Sequence, residues 1–215
     1  SLEIPSAWTM IEIDVTGLVG YREAHVADFE LELGVRLTYL PFAAYVLAQS
    51  LVSHQLLNGR YASKGVTVNR QVNLGVAVAT ERGLVVPVVP DAARLTVRDL
   101  AVKIDSLIKA ARSNTLSLHD VQGGTCTLNN TGALGSIASM PIINHPQVAI
   151  VTTEAIVTRP SVMASGDIGV RAMMNVCLTF DHRVCDGAEA SAFLSDVKNV
   201  FESIDNTSRL LEQVS

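Results

Sequence analysis

The 215-residue sequence is poor in charge. Asp, Glu, Lys and Arg together make up 17 % of it, against roughly 25 % in ordinary soluble domains. Hydrophobic residues reach 48 %, so ample core is available and part of the apolar surface is expected to be buried between subunits. No uninterrupted apolar run reaches the roughly 18–20 residues of a membrane span, and no membrane association is expected. Basic residues are scattered and the net charge is −5, which excludes the basic stripe that a nucleic acid backbone requires. Cys126, Cys177 and Cys185 are too few and too irregularly spaced for a disulfide framework, and the first two fall in segments patterned as buried strands. A reducing compartment fits, the cytoplasm or, in a eukaryote, the mitochondrial matrix. The N-terminal Ser1-Leu-Glu-Ile-Pro5 has neither the basic segment nor the apolar stretch of a signal peptide.

What the sequence does have is alternation and helical stripes. From Met10 to Val15, Ile11, Ile13 and Val15 share one face and Glu12 and Asp14 the other, the pattern of a half-buried strand. Helices are predicted from Leu18 to Leu33 and from Pro41 through Leu56, the latter stopped by Gly59. β-Branched residues concentrate between Val66 and Val89, predicting adjacent strands. Thr96 and Asp99 have the spacing of a capping box before the stripe Leu100, Ile104, Leu107 and Ile108, and Ser117 and Asp120 repeat that spacing. After Gly123-Gly124, Cys126 and Leu128 alternate with Thr127, Asn129 and Thr131, which predicts a strand whose uniform polar face is fit to line a site. Long strands over Val148–Val157 and Arg171–Phe180 and a helix over Ala188–Ile204 complete a single α/β domain over residues 1–215.

The chemistry is concentrated in Phe180-Asp-His-Arg-Val-Cys-Asp-Gly187. An imidazole, His182, stands four residues before a carboxylate, Asp186, at a strand end where Gly187 permits a tight turn. Taken alone, such a pair serves structure as readily as catalysis. The remaining histidines read more simply: His25, His54 and His119 as surface or capping side chains, and His145, before Pro146, as part of a turn. No second ligand pair with zinc-like spacing accompanies His182, Cys185 and Asp186, so no metal is predicted. The glycine pairs lack the signature of a phosphate loop.

The stretch Asp181-His-Arg-Val-x-Asp-Gly187 resembles the active-site signature of dihydrolipoyl acyltransferases, which share their fold with chloramphenicol acetyltransferase. The segment from Leu116 to Gly132, with its Gly-Gly-Thr turn, resembles the family's second active-site strand. Gly75–Ala79, Gly83–Pro87 and Ile142–Ile150 follow family segments in the same order. The likeness thus covers essentially the whole chain. Ile4-Pro-Ser-Ala-Trp8 and Leu128-Asn-Asn-Thr-Gly132 resemble bacterial members that act on branched-chain acyl groups.

The resemblance implies a two-layer α/β sandwich with a mixed sheet, trimeric, with active sites between subunits. It implies acyl exchange between dihydrolipoyl groups and coenzyme A at the core of a 2-oxo acid dehydrogenase complex, with His182 as base. Asp186 takes a structural role through an ion pair with an arginine, for which Arg22, Arg183 or a residue upstream of Ser1 are candidates. The family's oxyanion hydroxyl corresponds to Asn129 here, so the donor is that amide or the hydroxyl of Thr127 or Thr131. Met140 falls where the family lines its acyl pocket. Further implied partners are a lipoyl domain carried elsewhere in a longer chain and the dehydrogenase and dihydrolipoamide dehydrogenase components. Trimers are expected to join into a cubic or dodecahedral core through a C-terminal apolar knob, Leu210 or Leu211. Two other readings share this fold: a non-catalytic core, and a small-molecule O-acetyltransferase.

Overall fold

The computed structural model describes residues 4–62, 65–163 and 165–212; Ser1 to Glu3 of the N-terminal segment lie outside the described residues. Alternation at the N-terminus becomes β1 (Ser6–Asp14), which starts four residues earlier than Met10. Helices α1 (Thr16–Leu33) and α2 (Leu40–Ser53) follow. The apolar stripe of α2 runs on to Leu56, yet the helix stops at Ser53 and residues 55–58 turn. Pro41 sits in its first turn, where a missing N–H costs nothing.

The β-branched region divides more finely than its composition suggests. It gives β2 (Gly59–Ala62), β3 (Gly65–Val68), β4 (Leu74–Val76), β5 (Val78–Thr80), β6 (Gly83–Val85) and β7 (Val88–Val89). The pairs β2–β3 and β5–β6 are separate two-stranded hairpins, and only β4 and β7 join the main sheet. Next come α3 (Val97–Arg112), β8 (Cys126–Asn130), β9 (Ala149–Thr153), β10 (Val157–Val162), β11 (Ile168–Asp181) and α4 (Gly187–Glu202). The predicted box before α3 is formed: Thr96 Oγ1 accepts from the Asp99 N–H at 3.2 Å, and Asp99 Oδ2 accepts from the Thr96 N–H at 2.9 Å.

The main sheet runs β1-β11-β9-β8-β4-β7, with β10 also paired to β11. Strands β8 and β9 pair in parallel, as do β4 and β8, while the other pairings are antiparallel. The expected mixed sheet is thus observed. Helix α4 packs on β1 and β11, α1 on β11 and α4, α3 on β5 and β7, and α2 on α3 and α4. Between these layers Ile13, Leu128, Leu178, Phe42 and Phe193 are wholly buried. The opposite face of β1 carries exposed Trp8 and Met10.

The C-terminus corrects one expectation. Leu211 is buried in its own chain; its N–H donates to Tyr21 Oη at 3.0 Å and its carbonyl accepts from Arg98 Nη1 at 3.3 Å. A leucine committed to its own core is not a free apolar knob, and Leu210 beside it is partly buried against the same core.

Candidate active site

The Asp181–Gly187 turn is organised by partners close in sequence. Asp181, 1 % exposed, grips the Arg183 guanidinium with two oxygens, Nε to Oδ1 at 2.9 Å and Nη2 to Oδ2 at 2.7 Å. It also accepts the Arg183 main-chain N–H at 3.0 Å. Burial pushes the Asp181 carboxyl up, but the hydrogen bonds and charge of Arg183 overcome that and hold it below the usual carboxylate range. The guanidinium stacks on the Tyr61 ring, 3.9 Å from its centre. Asp186 caps α4, its Oδ1 accepting from the N–H groups of Ala188 and Glu189 at 2.9 and 3.0 Å.

The arginine partner expected for Asp186 is not found among the described residues. Arg183 turns to Asp181, and Arg22 donates to the Leu37 carbonyl and covers the Tyr39 ring. Asp186 sits at the N-terminus of a 16-residue helix, where unsatisfied N–H groups lie nearest and compete for its carboxylate.

His182 stands exposed between these two anchored residues. Its main-chain N–H donates to the Pro5 carbonyl at 2.9 Å, and its ring lies 5.7 Å from that of Phe180. Among the described residues the imidazole makes no hydrogen bond to another residue. Clefts flank the turn. One, of about 440 Å³, is lined by Arg60, Tyr61, His145 and Arg183 among others; a second, of about 430 Å³, by Val184, Cys185, Asp186 and Glu189. Burial pushes the Cys185 thiol up to about 12, with the Glu189, Asp181 and Asp186 charges adding to it. It is no nucleophile.

The polar face of β8 is built the other way, from distant partners. Cys126 and Leu128 enter the core, as the alternation predicts. Thr127 donates to Gln147 Oε1 at 2.6 Å. Thr131 donates to Glu154 Oε2 at 2.8 Å. Each of those hydroxyl protons is therefore committed. Asn129, half-buried between them, makes no side-chain hydrogen bond among the described residues. Met140, 74 % exposed, lies at the end of the loop that follows.

One chain does not bring His182 and Asn129 together. Register places Asn129 beside Thr152 and Thr152 beside Cys177, five residues before His182. At about 3.3 Å per residue and about 4.8 Å per strand, the two lie roughly 15–20 Å apart.

Two features escaped the sequence reading. Glu154 is 3 % exposed and holds the hydroxyls of Thr131, Ser139 and Thr152. His54 is not a surface side chain: 8 % exposed, it directs Nδ1 to Glu189 at 3.1 Å and Nε2 to Asp196 at 2.8 Å. It thereby ties the end of α2 to α4. The only signal for either was an ionisable residue beside apolar neighbours.

Comparison with known proteins agrees with this architecture. The family described as 2-oxoacid dehydrogenases acyltransferase (catalytic domain) matches residues 1–210. The lipoamide acyltransferase component of the branched-chain alpha-keto acid dehydrogenase complex of Bacillus subtilis is 45 % identical over 203 residues, 94 % of this chain and 48 % of that protein. The chain thus spans about half the length of that relative. The crystal structure of a probable dihydrolipoamide acetyltransferase from Listeria monocytogenes superposes with a TM-score of 0.94 at 41 % identity, covering 97 % of this chain and 89 % of that one. The cubic core of a pyruvate dehydrogenase multienzyme complex gives 0.90 at 30 % identity, covering 94 % and 84 %. Chloramphenicol acetyltransferase, at 0.61 and 15 % identity over 92 % of this chain and 89 % of its own, shares the fold.

Proposed function

The chain belongs to the family of 2-oxoacid dehydrogenase acyltransferase catalytic domains, and from that premise we propose that it transfers acyl groups, branched-chain ones included, between dihydrolipoyl groups and coenzyme A. The observation that carries this reading is one of availability. Around the two motifs, the neighbouring carboxylates and hydroxyls are taken by intrachain partners, and among the described residues the His182 imidazole and the Asn129 amide have none, which leaves them for a substrate.

In the proposed reaction neutral His182 removes the proton from the thiol of coenzyme A, or of dihydrolipoamide in reverse. A thiol with a pKa of roughly 8.5 is mostly protonated at neutral pH, so a base within reach supplies the nucleophile. The thiolate attacks the thioester carbonyl, and the Asn129 amide donates to the tetrahedral oxyanion. Collapse expels the other thiolate, which takes the proton back from the imidazolium. The 15–20 Å between the two residues in one chain supports a site in which His182 of one copy meets Asn129 of another, in a trimer with its sites between subunits. Trimers would assemble into a larger core, as in the cubic core this chain resembles. A lipoyl domain and the dehydrogenase and dihydrolipoamide dehydrogenase components are the proposed partners, in the cytoplasm or mitochondrial matrix. The 45 % identity to a branched-chain relative supports branched acyl groups.

The test is transfer of acetyl and isobutyryl groups from their CoA thioesters to free dihydrolipoamide. Wild type is expected to transfer both, and His182→Ala neither. Wild-type transfer no faster than that of His182→Ala would replace the enzyme with a non-catalytic core.

A further inference from the structure

Glu154 is a buried carboxylate with no Lys or Arg paired to it among the described residues. A buried anion without a cation persists only if hydrogen-bond donors replace water around it. The donors here are hydroxyls. Thr131 reaches Oε2 at 2.8 Å, and Ser139 and Thr152 reach Oε1 at 2.5 and 2.6 Å. Burial pushes the carboxyl up, and these hydroxyls, with that of Ser136, bring it below the usual range, so it stays ionised at neutral pH.

Thr131, Ser136 and Ser139 all belong to the loop after β8, which begins beside Asn129 and ends at Met140. Other contacts press the same loop onto the sheet. The Trp8 indole N–H donates to the Ser139 carbonyl at 2.8 Å, the Asn175 amide to the Ile137 carbonyl at 2.8 Å, and the Ala155 N–H to the Ser136 carbonyl at 2.7 Å. Gly132 lies so close that a Cβ there would sit 2.2 Å from the Glu154 carbonyl carbon. With its polar groups turned inward, the loop presents Leu134, Ile137 and Met140 outward, 56 to 84 % exposed.

We propose that Glu154 is a positioning residue: its carboxylate gathers the hydroxyls of the 131–139 loop and so fixes an apolar edge beside Asn129 that selects the acyl chain. The proposal rests on the acyltransferase reading for what the edge selects, and on the hydrogen bonds alone for what Glu154 holds.

Trp8, the only tryptophan, reports on the loop without any assay of activity. Glu154→Gln keeps the shape and removes an acceptor. With unchanged far-UV circular dichroism it is expected to raise acrylamide quenching of Trp8 about twofold. It should also lower the preference for isobutyryl over acetyl about tenfold in kcat/KM, with the KM for coenzyme A within about twofold of wild type. Ser139→Ala, a gentler change should Glu154→Gln fail to fold, is expected to move both readouts in the same direction by about threefold or less. Unchanged quenching in both variants overturns the positioning role, and changed quenching with unchanged acyl preference overturns selection by the loop. If wild type transfers neither group, the acyltransferase reading fails by itself, and Trp8 quenching still decides what Glu154 holds.

Discussion

The Asp181–Gly187 turn and the polar end of β8 each expose one reactive group that has no side-chain hydrogen bond among the described residues, yet they are held in place in opposite ways. In the turn, Asp181 binds Arg183 and Asp186 caps the next two helical N–H groups, all within three residues. At β8, Thr127 depends on Gln147, and Thr131 on Glu154 and Ser139, 8 to 23 residues on. The turn's side-chain hydrogen bonds are local, and its distant supports are the main-chain bond of His182 to Pro5 and the stack of Arg183 on Tyr61. The β8 site exists only when the following loop and three neighbouring strands have assembled. A change in the turn should therefore stay local, whereas one near β8 should spread through the loop.

The sharpest test of that difference is His182→Ala. Removing a general base costs about 10²–10⁴-fold in rate. Because the imidazole has no hydrogen bond within the described chain, the thermal midpoint should stay within about 2 °C of wild type. Activity and melting measured on one preparation check both halves. A large fall in melting temperature would give the ring a structural partner and weaken the contrast. Asn129→Ala comes next. Loss of one oxyanion donor costs about 10²–10³-fold in kcat, again with little loss of stability. Thr131→Val is the companion, expected to cost stability more than kcat because its proton already belongs to Glu154. If Thr131→Val matches Asn129→Ala in kcat while remaining folded, the donor is Thr131.

The two regions also differed in how much their sequences disclosed. The Thr96–Asp99 box, the Ser117–Asp120 box and the alternation of Cys126 to Thr131 were readable because the interacting groups lie within one turn or one strand. Glu154 was not, since it sits inside the apolar Val148–Val157 run, which reads as one strand. The strand in fact ends at Thr153, and the residue after it turns to hydroxyls from another loop. His54 hid for the same reason, its partners lying 135 and 142 residues away. Leu211 looked like a free tail because nothing near it in sequence announces Tyr21 and Arg98. Even in the turn, Arg183 was a candidate partner for the wrong aspartate, because its spacing allows either one and only burial decides between them.

Asp181→Asn probes the buried ion pair directly. Removing one partner leaves the Arg183 charge half-buried. The expected loss is about 3 kcal/mol, at the low end for such pairs because the Arg183 side chain remains 33 % exposed. The carboxyl is held below its ordinary value, so it stabilises the fold above the unfolded pKa of roughly 3.9, and this contribution is lost as pH falls through the folded value. Urea unfolding at pH 5 and at pH 3 should show wild type losing more stability on acidification than Asp181→Asn. Glu154 and Asp14, also held low, should leave the variant some acid dependence of its own. Equal acid dependence in the two proteins would mean that the pair is not formed in solution.

The smallest effect decides whether the turn is as local as it looks. In the single chain Asp186 is a helix cap, and Asn caps about as well as Asp. Asp186→Asn should then cost only a few tenths of a kcal/mol, and Asp186→Ala about 1 kcal/mol. If the family's ion pair forms with an arginine of another copy, the order changes, because Asn keeps the cap but loses the charge. Both variants would then lose comparable stability, and the loss would grow on dilution as copies separate. Chemical denaturation of both variants at two protein concentrations a hundredfold apart separates these cases. A concentration-independent gap between Asn and Ala confines Asp186 to its own helix, and a concentration-dependent loss in both makes this turn, like β8, a site completed from a distance.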